Sequence, residues 1–548
     1  MKKEKIKPML FSVIKKYSVK QFTTDVIAGI IVAIIALPLS IALALASGVG
    51  PEEGLYTAIV AGFIISFLGG SRVQIAGPTA AFATIVAGIV ATNGMEGLMM
   101  ATIIAGILLI LMGVFRLGSL IKFIPYTITT GFTAGIAVTI LIGQIKDFLG
   151  LTYPKGTVTI ETMEKVSAII KNIGTINIQA VIVGLVCLAV LIIWPKFVDK
   201  IPASLIAVLV GIALVKGLGL KVNTIGDLYT INGGLPKFHT PAFSWSLVRE
   251  SFSNGFTIAI LAAIESLLSA VVADGMIGSR HRSNMELIAQ GLGNIGSVLF
   301  GGIPATGAIA RTAANIKNGG RTPIAGIVHS ITLMLIMVVL MPYAALIPMP
   351  TIAAILFQVA YNMCQYKIFA RLCKTAPKSD IIVLVTTFVL TVVFDLVIAI
   401  EVGMVIACVL FMKRMSEESS VKSWTYIDPE ENDPDSIEYR VVPKHVRVYE
   451  ITGPMFFGDA DALSGITTKE FTKCLVIRMR SVPALDATAM RSLEMLYDDC
   501  TKKGIKVIFS HVNEQPMRTM EKGGFVDKVG KENFCAHIDD ALERASKI

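Results

Sequence analysis

Residues 26–51 carry no Asp, Glu, Lys or Arg, and runs of this kind recur at 73–95, 97–115, 123–145, 172–195, 201–215, 287–310, 322–366 and 381–394. A helix needs about 20 apolar residues to cross the ~30 Å hydrocarbon core of a bilayer. A soluble chain of 548 residues could not hide so much apolar surface without splitting into several domains. Only 16% of residues are charged, against roughly a quarter in soluble domains, which excludes a soluble enzyme and a disordered scaffold. The run 322–366 exceeds one span and is cut by Pro342, Pro348 and Pro350, so it holds two helices. Counted this way, the chain is a polytopic α-helical membrane protein of about 14 spans.

The net charge of +9 does not mark a nucleic-acid binder, because Lys and Arg sit in short clusters between apolar runs. With the basic N-terminus (residues 1–20) inside, one set of loops holds Arg72, Arg116 with Lys122, Lys196 with Lys200, Arg280 with Arg282, Lys317 with Arg321, and Lys367, Arg371, Lys374 and Lys378. The opposite loops are acidic or mixed in charge. The positive-inside rule therefore orients the chain, and an even number of spans returns the C-terminus to the cytoplasm. The membrane expected is the inner or plasma membrane. Seven scattered cysteines have no disulfide or metal-ligand spacing, and no metal or cofactor is expected.

Composition changes near residue 412. The transporter part is read as 21–414, a polar linker as 415–437 and an ordinary soluble domain as 438–548. In that last part HVRVYEIT, KCLVIRMR and IKVIFSHV have strand character, and DATAMRSLEMLYDDCTKKG has helical spacing, so an α/β layer domain is expected. No phosphate-binding glycine pattern appears in it, which favours regulation or assembly over catalysis.

Landmarks repeat at nearly one offset: Pro78 with Pro304, Pro125 with Pro350, and Pro38 with Glu265. This implies two halves of seven spans, about 21–216 and 250–414, the second inverted because seven is odd. Both halves contain a mid-membrane break, at Gly77-Pro78 and at Pro304-Ala305-Thr306. Backbone that leaves the helix at membrane depth survives only against packed protein or a cavity. If each break begins a half-helix, the free N–H groups form an anion site. Gly77, Pro78, Thr79, Ala80 and Ala81 are then candidate anion contacts from one half, and Thr306, Gly307 and Ala308 from the other. A leucine at Ala80 or Gly307 is expected to fill the space where the anion approaches. Arg311 reads either as a fixed positive charge behind the anion or as a helix-end residue snorkelling to the surface.

Glu265 is the only ionisable residue between 251 and 273, and an intramembrane carboxylate is a functional candidate by default. Ser269 lies one turn on and Ser266 adjoins it. The group suits binding and release of a proton; with nearby oxygens it could hold sodium. His329 reads as a core histidine, and Asp395 and Glu401 as capping residues.

The run PEEGLYTAIVAGFIISFLGGSR resembles the signature of the sulfate permease family of anion transporters, and GGIPATGAIARTAANIKNGGRTPIAG is similar to its second half-helix. The tail from GPMFFGDAD to IKVIFSHV resembles the domain named for sulfate transporters and anti-sigma-factor antagonists (STAS). The resemblance implies fourteen segments in two inverted repeats, a core domain (segments 1–4 and 8–11), a gate domain (5–7 and 12–14), an anion between half-helices 3 and 10, and homodimers. It also implies Glu265 as the coupling carboxylate. Sodium-coupled bicarbonate members carry Asp, Thr and Thr where this chain has Glu265, Ser269 and Ile309, and the hydroxyl missing at 309 weakens sodium and favours a proton on Glu265. Beside Asp486, where relatives of the tail carry a phosphorylatable hydroxyl, stand Ala487 and Thr488. The expected activity is symport of a small anion (sulfate, bicarbonate or a dicarboxylate) with protons, by elevator movement. The alternatives are sodium–bicarbonate symport and an uncoupled exchanger or channel. The partners are the anion, the lipid bilayer and a second copy, with no nucleic acid.

Overall fold

The computed structural model describes residues 6–14, 17–119, 125–154, 157, 159, 161–198, 201–231, 234–241, 243–394, 396–418, 420–423, 442–456, 466 and 472–548. Lys122, Lys200, Asp395, linker residues 424–437 and the GDAD segment (458–461) lie outside the described residues. The chain divides into two compact units, 1–404 and 405–548.

The first unit opens with a short helix α1 (Leu10–Val13) and continues through α2 (Val19–Ala46), α3 (Pro51–Leu68), β1 (Ala76–Gly77), α4 (Ala80–Val114), α5 (Tyr126–Leu149), α6 (Thr162–Asn172), α7 (Ile178–Ile193) and α8 (Ala203–Leu218). After the short α9 (Ile225–Leu228) come α10 (Trp245–Ile277), α11 (Ser283–Leu299), β2 (Thr306–Gly307), α12 (Ile309–Lys317), α13 (Ile324–Ala344), α14 (Met349–Cys364), α15 (Tyr366–Thr375) and α16 (Lys378–Val393), and then α17 (Leu396–Glu418), which runs past the boundary at residue 404. Helix α4 is two segments, because Gly94 sits at φ 68° and ψ −173°, a conformation that a side chain would strain. With that break, α2 to α8 without the surface helix α6 make seven segments, and α10 to α17 without the surface helix α15 make seven more. The two halves match the inverted-repeat architecture.

Local sequence explains the ends. Pro51 opens α3 with Glu52 and Glu53 in its first turn, where the helix dipole favours negative charge. Ser18 accepts from the Gln21 N–H and caps α2. Helices α2, α3, α4, α10, α11, α12 and α13 pack chiefly with one another, and α5, α7, α8, α14 and α16 form a second group. Inside the first group small residues allow backbones to touch. A Cβ on Gly106 of α4 would meet the Gly291 carbonyl of α11 at 2.7 Å, so the crossing requires glycine.

The second unit holds a five-stranded sheet in the order β3 (Ser420–Ser423), β4 (Val446–Thr452), β5 (Cys474–Ser481), β6 (Lys506–Ser510) and β7 (Phe534–Cys535). β3 joins antiparallel, and the other pairs are parallel. One face packs Leu475, Ile477, Val507 and Phe509 under α18 (Ala487–Lys502), α19 (Glu514–Lys522) and α20 (Phe525–Val529). The other packs Val448, Val476 and Ile508 under α21 (Ile538–Ser546). Three of these strands follow the three β-branched runs in the sequence. β3 falls in residues read as linker, because four residues reading SVKS carry no apolar run.

Candidate functional site

The two broken segments meet as a minimal antiparallel ladder, Ala76 opposite Gly307 and Gly77 opposite Thr306. The Ala308 N–H donates to the Ile75 carbonyl at 2.8 Å, and the Ile75 N–H donates to Thr312 Oγ1 at 3.0 Å. Each strand leads directly into a helix, α4 after Thr79 and α12 after Ala308. These two residues hold equivalent cap positions, so Pro78 corresponds to Gly307. The correspondence of Pro78 with Pro304 drawn from sequence spacing is off by three residues, because Pro304 precedes β2 whereas Pro78 follows β1.

Thr79 is a favourable helix-capping residue type, yet its hydroxyl does not cap α4. It donates instead to Glu265 Oε2 at 2.9 Å. Thr306 Oγ1 donates to the same oxygen at 2.8 Å and lies 3.1 Å from Thr79 Oγ1. One carboxylate from α10 thus gathers a hydroxyl from each half of the protein. The first-turn N–H groups of Ala80, Ala81, Ile309 and Ala310 have no intrahelical partner, as at any helix start, and these residues line a cleft of about 310 Å³. Pro78, Thr79, Glu265, Gly307, Ala308 and Arg311 line it too. The opposite wall is Phe132 and Thr133 of α5 with Val359 and Asn362 of α14, and Gln365, just before the Lys- and Arg-bearing α15, lies at one end.

Arg311 is in the first turn of α12 and is 1% exposed. Snorkelling is therefore excluded. Its Nη2 donates to the Pro78 carbonyl at 3.2 Å, tying the start of α12 to the end of β1. A Cβ on Gly77 would collide with Nη1 of the same guanidinium, so Gly77 is the space that Arg311 occupies. Ser266, not Ser269, reaches the ladder: its Oγ accepts from the Gly307 N–H at 3.1 Å. Ser269 is buried without a partner for its hydroxyl and does not line the cleft. His329 is buried with both ring nitrogens unpartnered, and Glu401 is exposed on α17.

Sequence reading missed Glu286. This residue of α11 is 0% exposed and accepts from the Gly70 N–H at 2.8 Å, the Ser71 N–H at 3.0 Å, Gln74 Nε2 at 3.0 Å and Gln290 Nε2 at 3.0 Å. Gln74 in turn packs where a Cβ on Gly307 would lie. A leucine at 307 therefore runs into this network and not into the anion space expected from sequence. Glu286→Ala should lower stability by about 3 kcal/mol or more, since it strands several buried donors. Thermal melting in detergent followed by size-exclusion recovery measures this; an unchanged midpoint would show the network to be dispensable.

Helix starts from both halves line one cleft with a buried arginine beside them, which suits an anion, and the family and relatives that the chain matches are membrane anion transporters and not enzymes. The chain belongs to the sulfate permease family, which matches residues 22–387, and it carries a STAS domain over residues 436–541. It is 39% identical to YvdB of Bacillus subtilis, a candidate sulfate transporter, across 96% of this chain and 98% of that one. It is 31% identical to the bicarbonate transporter BicA of Picosynechococcus, across 95% and 94%. The murine Solute Carrier 26 family member A9 anion transporter, solved in the inward-facing state, shares its fold with a TM-score of 0.87 at 19% identity, covering 99% of this chain and 94% of that one.

Proposed function

We propose that the protein is a proton-coupled symporter of a small inorganic oxyanion, sulfate or bicarbonate, in the cell membrane. The observation that carries this reading is Glu265 Oε2 accepting from both Thr79 and Thr306, at the mouths of the two half-helices. An ionised carboxylate there repels an arriving anion; a protonated one does not. Two unit charges roughly 5 Å apart repel by about 3 kcal/mol at an effective dielectric constant near 20, so proton and anion binding are linked. The relatives named above supply the two candidate anions, and a small dicarboxylate fits the same site chemistry. The half-helix group is read as a core that carries the anion past the α5 and α14 wall, as in an elevator. Both termini are read as cytoplasmic, with the second unit contributing to a homodimer.

A second reading has one observation in its favour. Glu265, Thr79 and Thr306 bring three oxygens within 3.1 Å of one another, which also suits sodium. Radiolabelled sulfate and bicarbonate uptake into proteoliposomes, driven separately by a pH or a sodium gradient, tests both. Accumulation with an inward proton gradient alone is expected. Accumulation only with sodium would select the second reading, and gradient-independent equilibration would select an exchanger or channel.

A further inference from the structure

A second cleft, of about 280 Å³, shares three helices with the first. On α4 the residues Thr84, Gly88 and Thr92 follow Ala80 at intervals of four, which places them on one face of the half-helix. On α10 the lining residues Asn254 and Thr257 precede Glu265 by two to three turns, and on α5 Thr139 follows Thr133. The two clefts therefore follow one another along the same walls, Glu265 and the half-helix starts lining the first and the second lying farther along α4. The first ends beside Gln365 and the basic α15. The second extends about 12 Å along α4, from Thr84 to Thr92, toward Gly94 and the opposite face.

Helix α6 lies at this second cleft. Its Glu164 turns back to accept from the Glu161 N–H at 3.1 Å and is thereby held at the helix start. Lys165, the next residue, lines the cleft half-buried among threonine hydroxyls, with Glu161 one turn before it on the same lining. Among the described residues its ammonium has neither a hydrogen-bond nor an ion-pair partner. Burial pushes its pKa below the ordinary lysine value, with Glu164 acting the other way. A partly desolvated ammonium with no ion-pair partner in contact is stabilised further by a mobile anion.

We propose that Lys165, with the threonines of this cleft, forms a second anion site at which the substrate oxyanion is gathered before it reaches the half-helices. The site rests on the transport reading above for its substrate class, and on geometry alone for its existence. Hydroxyls donate to an oxyanion, and the ammonium supplies charge that salt screens.

The test uses the full chain in proteoliposomes with labelled sulfate as the probe. Lys165→Gln should raise the half-saturation about fourfold at low ionic strength while leaving the maximal rate within about twofold, and Lys165→Arg should restore it. The difference should shrink in about 0.3 M salt, where the screening length falls below 10 Å. A separate readout needs no transport: Thr84→Cys should be labelled by a charged thiol reagent, and sulfate should slow that labelling only where Lys165 is present. Sulfate-dependent protection without uptake would support the site and defeat the transport reading. Uptake with an unchanged half-saturation in Lys165→Gln and no protection at position 84 would overturn the site and leave the transport reading intact.

Discussion

Glu265→Gln is expected to abolish proton-driven accumulation of the anion while leaving a folded protein that still equilibrates it. The amide oxygen can accept from Thr79 and Thr306 as Oε2 does, so the contact between the two halves survives. The amide cannot ionise at any working pH, so the linkage between proton and anion binding vanishes. In wild type, deprotonation should weaken anion binding roughly a hundredfold, the factor that corresponds to about 3 kcal/mol of repulsion. In the variant, binding should be flat with pH and close to the acid limit of wild type. Uptake with and without an imposed pH gradient, together with anion binding at pH 5 and pH 8, measures both consequences. Wild-type accumulation in Glu265→Gln would remove the coupling role from this residue altogether.

That prediction was within reach of the sequence because Glu265 stands alone in an apolar run, where a carboxylate has no structural company to explain it. The half-helices were legible for a similar reason: Gly77-Pro78 and Pro304-Ala305 break helices at membrane depth. Glu286 gave no such signal. It lies in SNMELIAQGLGN, among Asn, Gln and Ser, and its importance comes from N–H groups at Gly70 and Ser71, which are distant in sequence. The burial of Arg311 was equally hidden, since helix phase depends on where α12 begins, and the ladder of β1 with β2 decides that. Two surface helices, α6 and α15, are short and amphipathic; α6 fell in a mixed-charge loop and α15 in a basic one. The register of the repeat failed at Pro304 because matching residue types replaced matching backbone positions. In the second unit, parallel strands buried on both faces carried their own β-branched signal, whereas the short edge strands β3 and β7 did not.

Ala80→Leu and Gly307→Leu, alike on paper, should part company. The Ala80 side chain lines the 310 Å³ cleft in the first turn of α4, beside the free N–H groups. Three added carbons there enter open space, so folding and yield should hold while the anion loses its approach to the backbone. Half-saturation should rise at least about tenfold, equivalent to about 1.4 kcal/mol, for one lost charge-assisted contact. At Gly307 the new side chain points the other way, into the Gln74 amide that Glu286 holds. Nothing flexible and solvent-facing can yield there. The cost is overpacking of about 1–3 kcal/mol plus the penalty for any buried donor left unpaired. The outcome should be loss of monodisperse protein and a lowered melting point, with affinity unchanged in whatever fraction folds. Expression, melting temperature and anion half-saturation measured side by side separate the two cases. If Gly307→Leu folded normally and lost affinity while Ala80→Leu did neither, the anion would have to lie on the Gln74 side of the ladder, and the cleft assigned here would be the wrong face of the half-helices.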